Sequence, residues 1–567
     1  MKRNTCLAAA LLLTGLGTTL SAIPAEAAAT GSMPLTIQSA SKSQLTPAVQ
    51  KTLDRLFTME PKLKKLQLKN CSTSDQTGIT TIRMLEGEDP TPLSSAYIDI
   101  RSKTGELRSF SFQFHDRSSS LEPSASFAKE QAQKFLFNWF GSKQLSQFGT
   151  PVSNGRGSSS IQYPDGTKST WAHRTVEFPL LINGIPTSTG GVGPRMDVDA
   201  TGHVVRFEYN PPSLSQAVLP DPKDALKTDT LKKHLFTPER VSLSYVEQQP
   251  SYTQGKNGIK TIQPVLRYDM NLPVAVNAFT GKAVDLVTGD VQNESENRFE
   301  PWKQISLAPA EQKLHASSQE EAAHVLLNVC GVDVSGWKVD EQEQKIVHPQ
   351  YVNTAVAYTW WNDDTNAAAN VMIDKVTKQI LHVDVTKTGQ EDQMVTKEEA
   401  FEKAAQFIQT YVSTTADSMK VYYFHSSEKE TLPFWADKTK IQTFVQENQM
   451  GEYEFRFTEQ KDGIPIRDRS SFVTVNTAGE ITSFSLSPER PAPSLPPASS
   501  LASRADVART FSQNTKLMLE YMWPDYFGQR APSPVLVYRI TGPIPGDSYV
   551  DARTGTYTTV PFESDNY

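Results

Sequence analysis

The chain has 567 residues, more than one hydrophobic core commonly holds, so several domains are expected. Its 56 Lys and Arg against 63 Asp and Glu leave a net charge of −7, which argues against a nucleic-acid partner, since that would ask for a basic face. With 38% apolar and 21% charged residues, the composition is that of an ordinary soluble protein.

Residues 1–29 read as a secretory signal peptide. Lys2 and Arg3 form a positive start, Cys6–Ile23 is a short apolar run, and Ala25-Glu26-Ala27 is a small-x-small cleavage site. Thr14, Gly15, Gly17, Thr18 and Thr19 interrupt the run, which argues against a membrane anchor. No later stretch is long and apolar enough to span a bilayer, so the expectation is a secreted or extracytoplasmic protein, with the cell envelope a possible address. Beyond the signal the cysteines are Cys71 and Cys330. An exported protein could pair them; two buried or free thiols are an equal reading. Two cysteines so far apart make no metal site.

In chain order, helical spacing of apolar residues appears at Pro47–Phe57, Phe127–Phe140, Asp224–Phe236, Gln319–Val329, Thr396–Tyr411 and Ala505–Met522. Thr396 and Glu399 have the spacing of a capping box. After these helices comes a recurring strand, turn and strand: Tyr97–Phe110, Arg195–Phe207, Val274–Leu286, Val371–Val383, Val473–Phe484 and Tyr549–Val560. In five of the six a glycine closes the turn; in the fourth Lys378 stands there, which predicts mild strain or a different turn. One longer stretch occurs twice, at Glu177–Tyr209 and Glu454–Leu486, each with an Asn-Gly or Asp-Gly hairpin turn followed by Ile-Pro. Such pairs supply the positive φ that a two-residue hairpin needs.

The spacing shows a second level of repetition. Gly105 and Lys378 are 273 positions apart, Gly202 and Gly479 are 277, Gly281 and Gly555 are 274, and Pro264-Val265-Leu266 recurs 270 positions on as Pro534-Val535-Leu536. Pro-rich linkers at Asn210–Pro222 and Pro488–Ser499 hold matching places, and the polar Val291–Pro309 joins the halves. The expected fold class is α+β: tandem small modules, each a helix packed on an antiparallel β-meander, in two duplicated three-module blocks. The boundaries fall at 36–118, 119–215, 216–295, 305–390, 391–490 and 500–567.

The helix, the Asn/Asp-Gly-Ile-Pro hairpin and the Val-Asp-x-x-Thr-Gly-x-Val return resemble PepSY-like modules. Their tandem arrangement in a secreted chain resembles the YcdB/YcdC repeat proteins of bacteria. The likeness covers nearly all of the mature chain and is strongest over 125–210 and 395–487. It implies a scaffold and no catalytic residue. PepSY modules occur in the pro-regions of secreted metalloproteases and in envelope proteins, and the resemblance implies binding or restraint of a peptidase or peptide.

A search for chemistry returns little. There is no His-Glu-x-x-His, nucleophile elbow, Walker loop or dinucleotide fingerprint. Glu321 and His324 share a helix face but lack a third ligand. Gly190-Gly191-Val192-Gly193 sits in a hairpin connection, so a flexible loop is the better reading than a phosphate cradle. Trp360-Trp361-Asn362-Asp363-Asp364 reads as one core tryptophan and an acidic turn, with an exposed ring or a Ca²⁺ site the sharper alternative. No catalytic, cofactor or metal residue is therefore assigned. The expected function is a non-enzymatic, secreted binding protein; the alternatives are a structural, surface-associated envelope protein and, less favoured, a hydrolase with an unfamiliar site.

Overall fold

A computed structural model of the chain describes residues 45–559, apart from 88–91, 164, 189–191, 216, 248–263, 293–300, 308–311, 349–350, 366, 387–394, 413, 415, 426–431, 438, 440–451, 490–493 and 542–547. The expected signal peptide at 1–29, Gly190 and Gly191, and parts of the 291–309 and 488–499 linkers lie outside the described residues. The protein is α+β, with antiparallel strands in the great majority of its ladders and helices packed on its sheets.

Among the described residues there are six α-helices: α1 (Pro47–Met59), α2 (Ala125–Leu145), α3 (Thr228–Leu235), α4 (Gln319–Cys330), α5 (Lys397–Tyr411) and α6 (Arg504–Asn514). Five begin at a hydroxyl that accepts a first-turn amide: Thr46, Ser124, Ser318, Thr396 and Ser503. Thr396 and Glu399 form the reciprocal capping box. The sixth helix is shorter than its pattern predicts. It stops at Asn514, and Lys516–Met522 is a strand paired along its whole length with Val535–Thr541. Apolar residues between 516 and 522 satisfy either period locally, and the available strand partner decides.

Two large sheets carry the helices. The first has eight strands, in the order Gln67–Ser74, Ile79–Glu86, Ser94–Arg101, Leu107–Phe114, Val204–Glu208, Arg195–Asp199, Lys168–Glu177 and Val152–Gln162. Two meanders thus meet edge to edge, with Phe207 opposite Phe110. In the second sheet the meander Lys338–His348, Tyr351–Asn362, Ala367–Asp374 and Ile380–Val385 joins Ile481–Ser485 and Ile464–Asn476 in the same way, with Phe484 opposite Val383. Phe110 to Val383 is 273 positions and Phe207 to Phe484 is 277, the offsets of the turn residues. Helix α2 packs on Lys168–Glu177 and Arg195–Asp199; α5 packs on Glu452–Lys461 and Ile464–Asn476.

Two hairpins cross between the halves. The hairpin of Val241–Val246 and Val265–Met270 is extended by Ser548–Asp551, near the C-terminus, with Tyr268 opposite Val550. The hairpin of Lys516–Met522 and Val535–Thr541 is extended by Ala275–Asn277, with Tyr538 opposite Val276. Tyr268 to Tyr538 is 270 positions and Val276 to Val550 is 274, so one pairing is the image of the other. The flanking bonds repeat the exchange: the Ala278 amide donates to Leu536 at 2.9 Å and the Ala552 amide to Leu266 at 3.0 Å. Sequence reading expects each helix to lie with its own strands. Here each hairpin finishes its sheet with the return strand of the other segment, because both edges accept the same register.

The core follows the exchange. The largest apolar cluster runs from Val49 to Ala278 and takes in Val507, Phe511, Leu536 and Val550; a second large one runs from Leu314 to Leu486. Burial of this apolar surface is the main stabilising term, at roughly 25 cal/mol per Å².

Candidate functional site

The exchanged hairpin docks against the second large sheet along one seam. Val241–Val246 runs parallel to Ile464–Asn476, and the ladder between them has a single pair, Tyr245 opposite Ile466. Below that pair the strands part. The Asp462-Gly463 turn, with φ of 52° and 78°, delivers Ile464 and Pro465 to the seam. A β-bulge between Thr458 and Gln460 interrupts the facing ladder there. Arg469 closes one end of the seam: its guanidinium holds Glu247 through two bonds of 3.0 Å, and Glu459 lies 3.6 Å away. All three are buried, and the pairing meets the geometric demand that burial of charge imposes.

Where the strands part, a cavity of about 50 Å³ opens. Ser242 and Ser244 line one wall, Thr458 and Ser470 another, and Tyr422, Arg456 and Arg467 supply the rest of the polar lining. Arg467 places Nη1 3.0 Å from Oδ2 of Asp269. That carboxylate also receives Arg267 Nε at 3.2 Å and Ser244 Oγ at 3.1 Å, so Arg467 shares its counter-charge.

Arg456 differs. Its guanidinium stacks 4.4 Å from the Tyr422 ring centre and 5.1 Å from that of Phe424. Its Nε is buried without a hydrogen-bond partner, and among the described residues no carboxylate forms an ion pair with it. Burial pulls its pKa down, as it pushes that of Tyr422 up. Glu454, two residues earlier on the same strand face, has its carboxyl pKa raised by burial. Hydroxyls of the lining are engaged within the protein: Ser244 donates to Asp269, Thr458 and Ser470 bond each other at 2.8 Å, and Ser470 donates to the Arg467 carbonyl at 3.2 Å. The chemistry for holding an anion is therefore the charge of Arg456, with part of that of Arg467.

The residues singled out in the sequence go elsewhere. Glu321 caps the start of α4, accepting from the Ser317 amide and hydroxyl at 2.7 Å each, and His324 is exposed. Trp360 is buried in the core beside Tyr358; Asp363 pairs with Lys338 at the surface, and Asn362 caps the turn by accepting from the amides of Asp364 and Thr365. Gly193 packs so close to Phe178 that a Cβ would stand 1.7 Å from its carbonyl oxygen, a backbone contact. Cys71 and Cys330 are buried in separate cores with no disulfide between them, and burial raises the Cys71 pKa. Of the repeated hairpins, the second lines the cavity through Pro465. Arg456 escaped sequence reading because it alternates with Phe455 and Phe457, both fully buried, and so reads as solvent-facing. The strand that covers it lies more than 200 positions away in the chain.

Comparison with known proteins adds the following. Residues 339–488 match the family described as the YcdB, YcdC repeated domain. Among solved structures, the Bacillus megaterium YpeB C-terminal domain is 15% identical, over 44% of this chain and 99% of that one, with a TM-score of 0.25. No curated protein matches.

Proposed function

From the premise that the chain carries a YcdB/YcdC repeated domain at 339–488, we propose that it is a secreted, non-enzymatic repeat protein that binds or restrains an extracytoplasmic peptidase or peptide. The observation that carries this reading is the arginine-lined cavity at the 241–246/464–476 seam, where a strand edge lies open beside unshared positive charge. Six PepSY-like modules, at 36–118, 119–215, 216–295, 305–390, 391–490 and 500–567, form two duplicated blocks of three. The matched registers at Phe110–Phe207 and Val383–Phe484 support that arrangement, as do the mirrored exchanges at Val550 and Val276.

Affinity capture tests the reading. The mature chain from about Thr30 is the bait, and the secreted fraction of the producing cell is the source. Specific recovery of a peptidase supports it; recovery of wall material alone speaks against it. A second reading, a structural or surface-associated envelope protein, is favoured by one observation: continuous sheets and exchanged strands tie the chain into one body. Cell fractionation separates the two, since a structural role requires a wall-bound pool.

A further inference from the structure

We propose that the cavity at this seam is a carboxylate-binding subsite, and that it takes the C-terminal carboxylate or an acidic side chain of an extended peptide. The inference rests on the peptide-binding reading above and names the group that the site holds.

Four observations carry it. Arg456 is a largely buried cation with an unpartnered Nε and no carboxylate in ion-pair contact among the described residues. A desolvated cation of this kind is costly to leave uncompensated, and a planar carboxylate matches its fork with two parallel bonds. Arg467, also in the lining, shares Asp269 with Arg267 and so adds only part of a charge. Together they suit a monoanion better than a doubly charged phosphate.

Size gives the second argument. About 50 Å³ holds one or two waters or a group of a few heavy atoms, and a carboxylate with its carbon is such a group. The strand edge gives the third. Val241–Val246 is laddered on one side to Val265–Met270, but on the other, among the described residues, only Tyr245 has a strand partner. Among the described residues, 242–244 therefore have no ladder partner on the side that lines the cavity, where an extended backbone can add as a strand.

The fourth is broken symmetry. Tyr245 and Tyr521 are 276 positions apart and make equivalent bonds, to the carbonyls of Pro496 and Pro220. The same offset takes Ser244 to Glu520. At that second place Glu520 pairs with Arg539 at 2.8 Å and fills the position with a carboxylate of the protein's own. The arginine-and-hydroxyl lining is thus a feature of one half and is not demanded by the repeat.

The test is calorimetric titration of the full mature chain with acetate, inorganic phosphate, triglycine, triglycine amide and Gly-Glu-Gly amide. Triglycine or Gly-Glu-Gly amide is expected to bind, and the two show whether the terminal or the side-chain carboxylate is preferred. Triglycine amide is expected to bind roughly 10- to 100-fold more weakly, the loss of one charge-assisted pair. Arg456→Gln should reproduce that loss, with Arg456→Lys in between and thermal unfolding as the control for folding. Thr458→Val supplies a second variant that keeps both arginines. Equal binding of triglycine and its amide, or phosphate bound more tightly than any carboxylate, overturns the subsite. If Arg456→Gln still captures the peptidase, the subsite falls and the peptide-binding reading stands. If acetate alone binds and no peptide or peptidase does, or if nothing binds, both fall.

Discussion

The Tyr268 hydroxyl donates to the carbonyl of Ala502 at 3.0 Å, across 234 residues of chain. Tyr538 repeats the bond in reverse, donating to Leu226 at 2.7 Å. Each tyrosine belongs to one hairpin and each carbonyl leads into the helix of the other segment. Removing either hydroxyl leaves its carbonyl without that donor. Tyr268→Phe and Tyr538→Phe should therefore each lower stability by about 1 kcal/mol. Denaturant unfolding checks this. Unequal effects, with one near zero, would mean that the two crossings are not energetic equivalents.

The exchange also predicts what happens when the chain is cut. A protease site inserted after Glu489 would separate the last segment covalently, yet α6 and the Ser548–Asp551 strand remain packed on Val241–Val246 and Val265–Met270. The nicked protein should elute as one species under native conditions and divide only in denaturant. Separation into two folded pieces in buffer alone would show that the exchanged strands do not hold the halves together.

Much of the architecture is legible in the sequence, and the reasons are local. Asn183-Gly184 and Asp462-Gly463 take the positive φ angles expected of their hairpins, and Thr396 with Glu399 closes its capping box. These signals depend on neighbours a few residues away. Edge partnership does not. The alternation in Val265–Met270 says that a strand forms but not that its outer edge will meet Val550 in place of Val276. The cavity was invisible for the same reason: Arg456 and Ser242 become neighbours only after that choice of edge.

Lys378 offers a direct measure of turn strain. Where five sister turns have glycine, it sits at φ 65°, in the left-handed region. Its side chain makes no demand that a glycine would fail, since the turn bonds run through backbone: the Lys378 amide to Asp374, and the Ala316 amide to the Lys378 carbonyl. Lys378→Gly should raise stability by up to about 1 kcal/mol, less the extra entropy that glycine gives the unfolded chain. A lowered melting temperature would show that the lysine side chain contributes more than its backbone costs.

The joint between the two meanders of the second sheet should weaken in mild acid. His382 lies on that joint, opposite Ser485. Burial depresses its pKa below the usual 6.5, against smaller opposing effects from Asp384 and from a backbone hydrogen bond at Phe484. The folded state therefore binds this proton less readily than the unfolded chain. The contribution is present in full above 6.5 and is lost as pH falls through the depressed value of the folded state. Melting temperature should fall across that window, and His382→Gln should flatten the fall there while leaving the carboxylate-driven loss at lower pH in place. NMR titration of the imidazole gives the decisive reading: a folded-state midpoint at or above that of a model histidine would remove the basis for the effect.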